Sequence, residues 1–107
     1  MMATFERVRT LVASGEVRIS EHGYDEMAAD GLTARELVAG VASAVLVEDY
    51  PDFPKGPTVL VLQADREQHP VHAVWGIPKG HQSPAVLVTA YRPDEERWNE
   101  TFTERKP

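Results

Sequence analysis

Apolar residues near the start of the chain recur at three- and four-residue spacing, with charged and polar residues between them. The positions are Phe5, Val8, Leu11 and Val12. This period puts them on one face of an amphipathic helix, and Gly15 is suited to end it. The three residues 17–19 that follow are too few for more than a brief strand.

Two further helices are predicted before residue 44. Ser20 is suited to cap a short helix over residues 21–30, and Gly31 is suited to the left-handed exit from it. Thr33 and Glu36 have the spacing of a capping box, so a third helix begins at about Ala34.

From residue 44 the pattern changes to runs rich in β-branched residues, which predict four strands over residues 44–50, 58–63, 71–75 and 85–91. The connectors contain Pro, Gly and Asp and are too short for crossover helices, so neighbouring strands should be antiparallel. After the last strand, Asp94 can cap a helical turn that brings Trp98 and Phe102 back to the sheet. The predicted fold is α+β: two or three N-terminal helices on a four-stranded antiparallel β-meander, with a short C-terminal helical turn.

Composition agrees with a single domain over residues 1–107. Hydrophobic residues make up 42% of the chain and charged residues 26%, as in ordinary globular proteins. The absence of Cys excludes disulfides, a thiolate nucleophile and Cys-ligated zinc. No apolar run approaches the roughly 20 residues that span a bilayer, so we expect a cytoplasmic protein without a membrane partner.

The formal net charge of -6 repels phosphate backbones and argues against strong nucleic-acid binding. An RNA substrate would require the basic residues to gather on one side, and we predict this for Arg92, Arg97 and Arg105 if RNA is bound.

Two of the four histidines are candidates for chemistry. His22 lies in the first turn of a helix with Glu26 four residues later, and the simpler interpretation is a surface pair. His72 interrupts an apolar strand, where it is either functional or a half-buried side chain bonded to a neighbouring strand. His69 and His81 lie in connectors and carry little functional weight.

The last strand adds two hydroxyl groups. The alternation of strand faces puts Thr89 and Tyr91 on one face together with Leu87, next to Arg92. If this strand pairs with that of His72, the two hydroxyls and the imidazole share a shallow site with Arg92 or Arg105. We predict that His22 and His72 both reach the Tyr91 hydroxyl in one solvent-accessible cleft.

Proton transfer and an arginine are the minimum that metal-free RNA cleavage through the 2′-hydroxyl requires. The structural alternative is a Tyr91 that packs on the helices and an Arg92 paired with Asp94 or Glu95. A zinc or iron site from His22, His72 and a carboxylate is a lower-ranked alternative. Trp75 and Trp98 are interpreted as core residues.

The ordered motifs resemble the bacterial family known as domain of unknown function 4258. The corresponding segments are 19–22 (Ile-Ser-Glu-His), 27–31, 33–36, 71–74 (Val-His-Ala-Val), 89–94 (Thr-Ala-Tyr-Arg-Pro-Asp), Trp98 and Arg105. The resemblance covers residues 17–105.

Such domains are similar to RelE-type ribonuclease toxins, in which an N-terminal helical pair packs on a small antiparallel sheet and a co-encoded antitoxin neutralises the toxin. The resemblance implies catalytic residues at His22, His72, Thr89 and Tyr91. It implies substrate contacts at Arg92, Arg105 and Glu26, the last at a position where many relatives carry Arg.

The sequence therefore predicts a RelE-like toxin domain, a metal-independent endoribonuclease that needs no cofactor and has RNA and an antitoxin as partners. The alternative is a non-catalytic module that binds a protein or a small ligand through the same sheet face. The acidic charge favours the alternative, and the polar cluster favours the enzyme.

Overall fold

The computed structural model describes residues 2–107, which form three α-helices and a five-stranded mixed sheet. The helices are α1 (Thr4–Ala13), α2 (Glu21–Ala29) and α3 (Ala34–Gly40), and α3 continues into the 3-10 turn Val41–Ser43. The strands are β1 (Val17–Ile19), β2 (Val45–Tyr50), β3 (Thr58–Ala64), β4 (Pro70–Gly76) and β5 (Ala85–Tyr91). The α+β prediction is confirmed.

The predicted helix ends are confirmed by the backbone geometry and hydrogen bonds. Ser20 caps α2 by accepting a hydrogen bond from the backbone N–H of Gly23. Thr33 and Glu36 form the reciprocal capping box of α3. Gly31 follows α2 with a φ of 69°, a left-handed conformation that glycine adopts without steric cost.

The sheet order is β1-β5-β4-β3-β2. Strands β2 to β5 pair antiparallel with their neighbours in the chain. The prediction of a purely antiparallel four-stranded sheet is wrong, because β1 adds a fifth strand that is parallel to β5. Three residues give too weak a pattern to predict a strand, but the edge of β5 supplies backbone partners for them.

The three helices cover one face of the sheet, where the main core lies. Val8 of α1, Met27 of α2 and Leu37 of α3 are buried there with strand residues. The strand residues of this core include Val59, Val61, Val71, Ala73, Trp75 and Leu87. Trp75 has no exposed surface, which confirms its interpretation as a core residue.

The C-terminal segment, residues 94–107, crosses the opposite face of the sheet. Asp94 accepts a hydrogen bond from the backbone of Glu96, but the segment forms turns in place of the predicted helical turn. Trp98 is 4% exposed and pairs with Arg105 in an isolated β-bridge, so its prediction as a core residue is confirmed. No helix among the described residues is long and apolar enough to cross a membrane.

Candidate functional site on the outer sheet face

Three of the predicted site residues lie on the sheet face that the helices leave uncovered, which we call the outer face. His72 pairs with Tyr91 across β4 and β5, and Val74 pairs with Thr89. Directly opposite residues of antiparallel strands project to the same side of a sheet. The predicted pairing of the His72 strand with the last strand is confirmed.

Leu87 does not share this face with Thr89. Val74 pairs with Thr89 and the next residue, Trp75, pairs with Leu87, so Val88 is an extra residue in β5. A bulge of this kind shifts the alternation of side chains by one residue. Leu87 therefore packs in the helical core, and the prediction that it shares a face with the two hydroxyl residues is wrong.

His72 has no exposed surface. Its Nε2 lies 2.7 Å from the carbonyl oxygen of Phe102, which can only accept, so the proton is on Nε2. The ring meets the rings of Trp98 and Tyr91 edge-on, with centroid distances of 4.4 Å and 5.6 Å. Its Nδ1 is buried without a hydrogen-bond partner.

Burial lowers the pKa of His72 because water no longer stabilises the charged ring, although the bond to the Phe102 carbonyl acts in the opposite direction. His72 is thus a neutral imidazole at pH 7, with a free lone pair on Nδ1. Burial also raises the pKa of Tyr91, which keeps its hydroxyl protonated. The outer face accordingly holds one neutral base and one weak acid in contact.

Arg105 reaches the same cluster but is occupied by a carboxylate. Its Nε and Nη2 donate to Glu48 at 2.9 Å and 3.1 Å, and the Tyr50 hydroxyl donates to the same carboxylate. The guanidinium lies 4.7 Å from the centre of the Trp98 ring. These bonds lower the pKa of Glu48 and raise that of Arg105. Because Arg105 is bound to Glu48 and its guanidinium lies on the Trp98 ring, it holds Trp98 against the outer face.

Arg92 is paired as well, although with partners other than the expected ones. Its Nη1 lies 3.0 Å from Asp65, and its Nε donates to the backbone carbonyl of Asp30. Hydrogen bonds from the His69 backbone and from Arg92 lower the pKa of Asp65. Since Arg97 also lies near a carboxylate, that of Asp94, each of the three arginines in question has an acidic neighbour.

His22 lies apart from this cluster. Its side chain is 70% exposed, and its Nε2 is 3.3 Å from Glu26, the surface pair that was the simpler interpretation. The prediction of a solvent-accessible cleft that holds both imidazoles is wrong, because His72 is sealed by the residues around it. Within residues 2–107 no three potential ligand side chains lie close enough to hold a metal ion, so the alternative of a site from His22, His72 and a carboxylate is wrong.

A separate open cleft of about 1180 Å³ lies between α3, the β3–β4 hairpin and Phe102. Arg35, Glu36 and Arg66 line it, together with Val45 at the start of β2. None of the residues predicted as catalytic or substrate-binding contributes to its lining.

The comparison with known protein families identifies the family of this chain. Residues 19–92 match the model of the domain of unknown function DUF4258, which is more than half of the chain. The chain belongs to this family. No curated protein and no solved structure matches it.

The DUF4258 match includes every predicted site residue except Arg105. It begins at the end of β1 and ends one residue after β5. Helix α1 and the C-terminal segment lie outside the matched residues. Trp98, Phe102 and Arg105, which cover His72, therefore lie outside the matched residues.

Four side chains that organise this DUF4258 domain were missed in the sequence. Glu48 and Tyr50 hold Arg105, and Asp30 and Asp65 hold Arg92. Glu48 and Arg105 are 57 positions apart, and only the strand register brings β2 next to the C-terminal segment. The acidic excess of the chain was the one available signal that its arginines would be paired.

Proposed function

We propose that this DUF4258 domain is a non-catalytic protein-binding module, which engages its partner through the free edge of β2. The observation that carries the proposal is a set of exposed apolar side chains along that edge. Val45 is 53% exposed, Leu46 42%, Tyr50 41% and the following Phe53 49%.

The edge itself offers backbone groups for pairing. Strand β2 is the last strand in the sheet order and pairs only with β3 among the described residues. Natural proteins protect such edges with lysine, proline, a β-bulge or a covering element, because unpaired N–H and C=O groups recruit further strands. Here the six residues of β2 contain no Lys and no Pro, although the register with β3 shifts between Leu46 and Glu48, and the residues on either side of that shift remain open to a partner strand.

The charge of the domain indicates the chemistry of that partner. Asp49 and Asp52 lie at this edge, and the whole chain carries a net charge of -6. A second copy would bring like charges together, whereas a basic segment would be attracted. The occupant that we propose is an extended, basic segment of another protein, whose apolar side chains cover Val45, Leu46 and Tyr50.

A toxin–antitoxin pair supplies such a partner. The succession of β1, two helices and a β-meander supports a RelE-like relation, and toxins of that type are held by a co-encoded antitoxin. The adjacent cleft beside Val45 offers space for further side chains of the partner. On this proposal the sealed His72 stabilises the domain, and binding of the partner needs no change at the outer face.

The test is co-expression with the product of the neighbouring gene, followed by calorimetry on the purified proteins. Replacing Leu46→Lys should weaken binding about tenfold or more, equivalent to about 1.4 kcal/mol, because a charge is placed on the paired edge. Tyr24→Lys is the matched control, since Tyr24 is 54% exposed on α2, away from this edge. Equal affinities for the parent and Leu46→Lys, or homodimers of the isolated chain that Leu46→Lys abolishes, would contradict the proposal.

A metal-independent endoribonuclease is the second candidate function, and the unpartnered Nδ1 of His72 favours it. Buried polar atoms are nearly always bonded, and this imidazole with an unbonded nitrogen packs against the ring of Tyr91, whose hydroxyl is a weak acid. In this reading His72 takes the proton of a 2′-hydroxyl, Tyr91 donates to the leaving oxygen, and Thr89 lies beside them.

Cleavage of single-stranded RNA in the presence of a chelator tests this candidate. Tyr91→Phe and Thr89→Val preserve the shape of the side chains, and Tyr91→Phe should reduce cleavage by about 10²-fold or more. An equally active Tyr91→Phe variant would identify a contaminating nuclease, and an inactive parent chain would leave the binding module as the function.

A further inference from the structure

We propose that the C-terminal segment, residues 94–107, is a detachable cover over the outer face, and that its release exposes His72, Thr89 and Tyr91. This inference goes beyond the proposed partner binding, and it holds whether or not β2 receives a strand. It concerns how solvent and ligands reach the imidazole of His72, which is buried in the closed structure.

Side-chain contacts and one hydrogen bond to a side chain, not strand pairing, hold the segment on the sheet. The buried Trp98 lies edge-on against His72, the Phe102 carbonyl accepts a hydrogen bond from the imidazole, and Arg105 binds Glu48. The segment has no helix and no strand, only the isolated bridge between Trp98 and Arg105. A region held without strand pairing opens at lower free energy than the strands beneath it.

Other hydrogen bonds of the segment are internal and would survive release. The backbone N–H of Asn99 donates to Glu104, and that of Lys106 donates to Arg97, both at 2.9 Å. The side chain of Asn99 accepts a bond from the Thr103 backbone. Residues 97–106 therefore form a small folded loop that can move as a unit.

A feature of the closed arrangement is unfavourable and would be relieved by release. His72 keeps Nδ1 buried without a partner, and water would satisfy it once the segment moves. This atom lies where the segment meets the imidazole.

The family match is a further observation. The matched residues end at 92, two positions before the segment begins. They include α2, α3, β2 to β5 and the last residue of β1, but not the segment that covers His72.

Chemical modification of histidine by diethyl pyrocarbonate, followed by peptide mass spectrometry, tests the proposal on the full chain. His22 is the internal reference because its side chain is 70% exposed. The rate of modification of His72, divided by that of His22, reports how often the outer face opens. In the parent chain we expect the ratio to rise at urea concentrations below the loss of helical circular dichroism.

Glu48→Gln removes the charge that holds Arg105 and should raise the ratio about two- to fivefold in the absence of urea, the change that loss of an exposed ion pair allows. Arg97→Gln is the matched control, since it removes a cation of the segment whose only nearby carboxylate is Asp94, within the segment itself. It should leave the ratio unchanged.

A His72 that reacts only together with global unfolding, in the parent and in Glu48→Gln alike, would overturn the proposal and make the segment part of the core. Trp98→Ala is a second variant for the case that Glu48→Gln changes the ratio too little to measure, because it removes the aromatic ring that packs on the imidazole. If Trp98→Ala keeps its helical signal and its His72 still does not react, the cover is also excluded. None of these results depends on partner binding or RNA cleavage.

Discussion

The two histidines with predicted proton-transfer roles occupy opposite environments. His22 is a surface residue beside Glu26, while His72 is fully buried between a carbonyl and two aromatic rings. A polar residue within an apolar strand is expected to have a hydrogen-bond partner. The strand pattern does not identify that partner. The partner is a backbone carbonyl 30 positions away, which no local pattern reveals.

Replacing His72→Ala should lower the free energy of unfolding by about 2–4 kcal/mol. The change leaves a cavity against Trp98 and removes the bond to Phe102. Urea denaturation at pH 7.5 measures it. His22→Ala is the control and should stay within about 0.5 kcal/mol, because an exposed side chain loses little. Similar losses in the two variants would show that His72 is not the buried contact described above.

Stability should fall between neutral and mildly acidic pH because of the same residue. Its pKa is lowered from 6.5 in the folded state, so the unfolded chain binds a proton first. The contribution is complete above pH 6.5 and decreases as the pH falls from there toward the lowered pKa, with a slope of at most about 1.4 kcal/mol per pH unit. The measurement is urea denaturation at pH 7.5, 6.5 and 5.5.

His72→Gln serves as the reference in that titration, since an amide does not titrate. The parent chain should lose more stability than His72→Gln between pH 6.5 and 5.5. At lower pH both should weaken together as Glu48 and Asp65, whose pKa values are also lowered, take up protons. Parallel curves above pH 5.5 would contradict a lowered pKa for His72.

At the scale of elements, the contact between α2 and β5 is closer than ordinary side chains allow. Ser20 donates to the carbonyl of Val88 at 2.7 Å while it caps the helix. A Cβ on Gly23 would lie 2.9 Å from the same carbonyl oxygen and 3.0 Å from that of Leu87. Ser20 and Gly23 thus place the first turn of α2 directly against the backbone of β5.

Gly23→Ala should therefore destabilise the domain by about 1–3 kcal/mol, because the backbone carbonyls cannot move aside as a flexible side chain can. In an open helix the same change stabilises by up to about 1 kcal/mol. Ala28→Gly, at an exposed position of α2, provides the comparison and should cost about 0.5–1 kcal/mol. Thermal or urea unfolding distinguishes the two; a stabilised Gly23→Ala would mean that α2 lies farther from β5.

The helices and the four long strands were predictable because their periods are local properties of the sequence. The capping signals at Ser20 and Thr33 were sufficient to place the starts of α2 and α3. The extra residue at Val88 was not predictable, since a bulge depends on how the partner strand pairs. For the same reason the alternation rule placed Leu87 on the wrong face.

At the scale of the whole molecule, the arginines that an RNA site would need are already near carboxylates. The net charge of -6 is therefore not offset by a free basic surface at Arg92, Arg97 or Arg105. Composition alone predicted weak attraction for phosphate. The carboxylates beside Arg92 and Arg105 come from residues distant in the sequence, whereas the carboxylate beside Arg97 lies three positions away.

Single-stranded RNA should bind more weakly than about 10⁻⁴ M at 150 mM salt, the weak end of non-specific binding. Fluorescence anisotropy with a labelled oligonucleotide measures this. Charge reversal at Asp49 and Asp52 to Lys should strengthen binding, and the gain should disappear as salt is added. Tight binding by the parent chain with a steep dependence on salt would instead favour the endoribonuclease.

The parallel pair of β1 and β5 has a consequence for synthesis on the ribosome. Residues 17–19 can pair as a strand only after residues 85–87 have been synthesised. The loop between them holds most of the chain, so its closure comes late and slowly. Until β5 has left the exit tunnel, β4 has an open edge and α2 lacks the strand on which it packs, so the nascent chain exposes surface that is prone to aggregation.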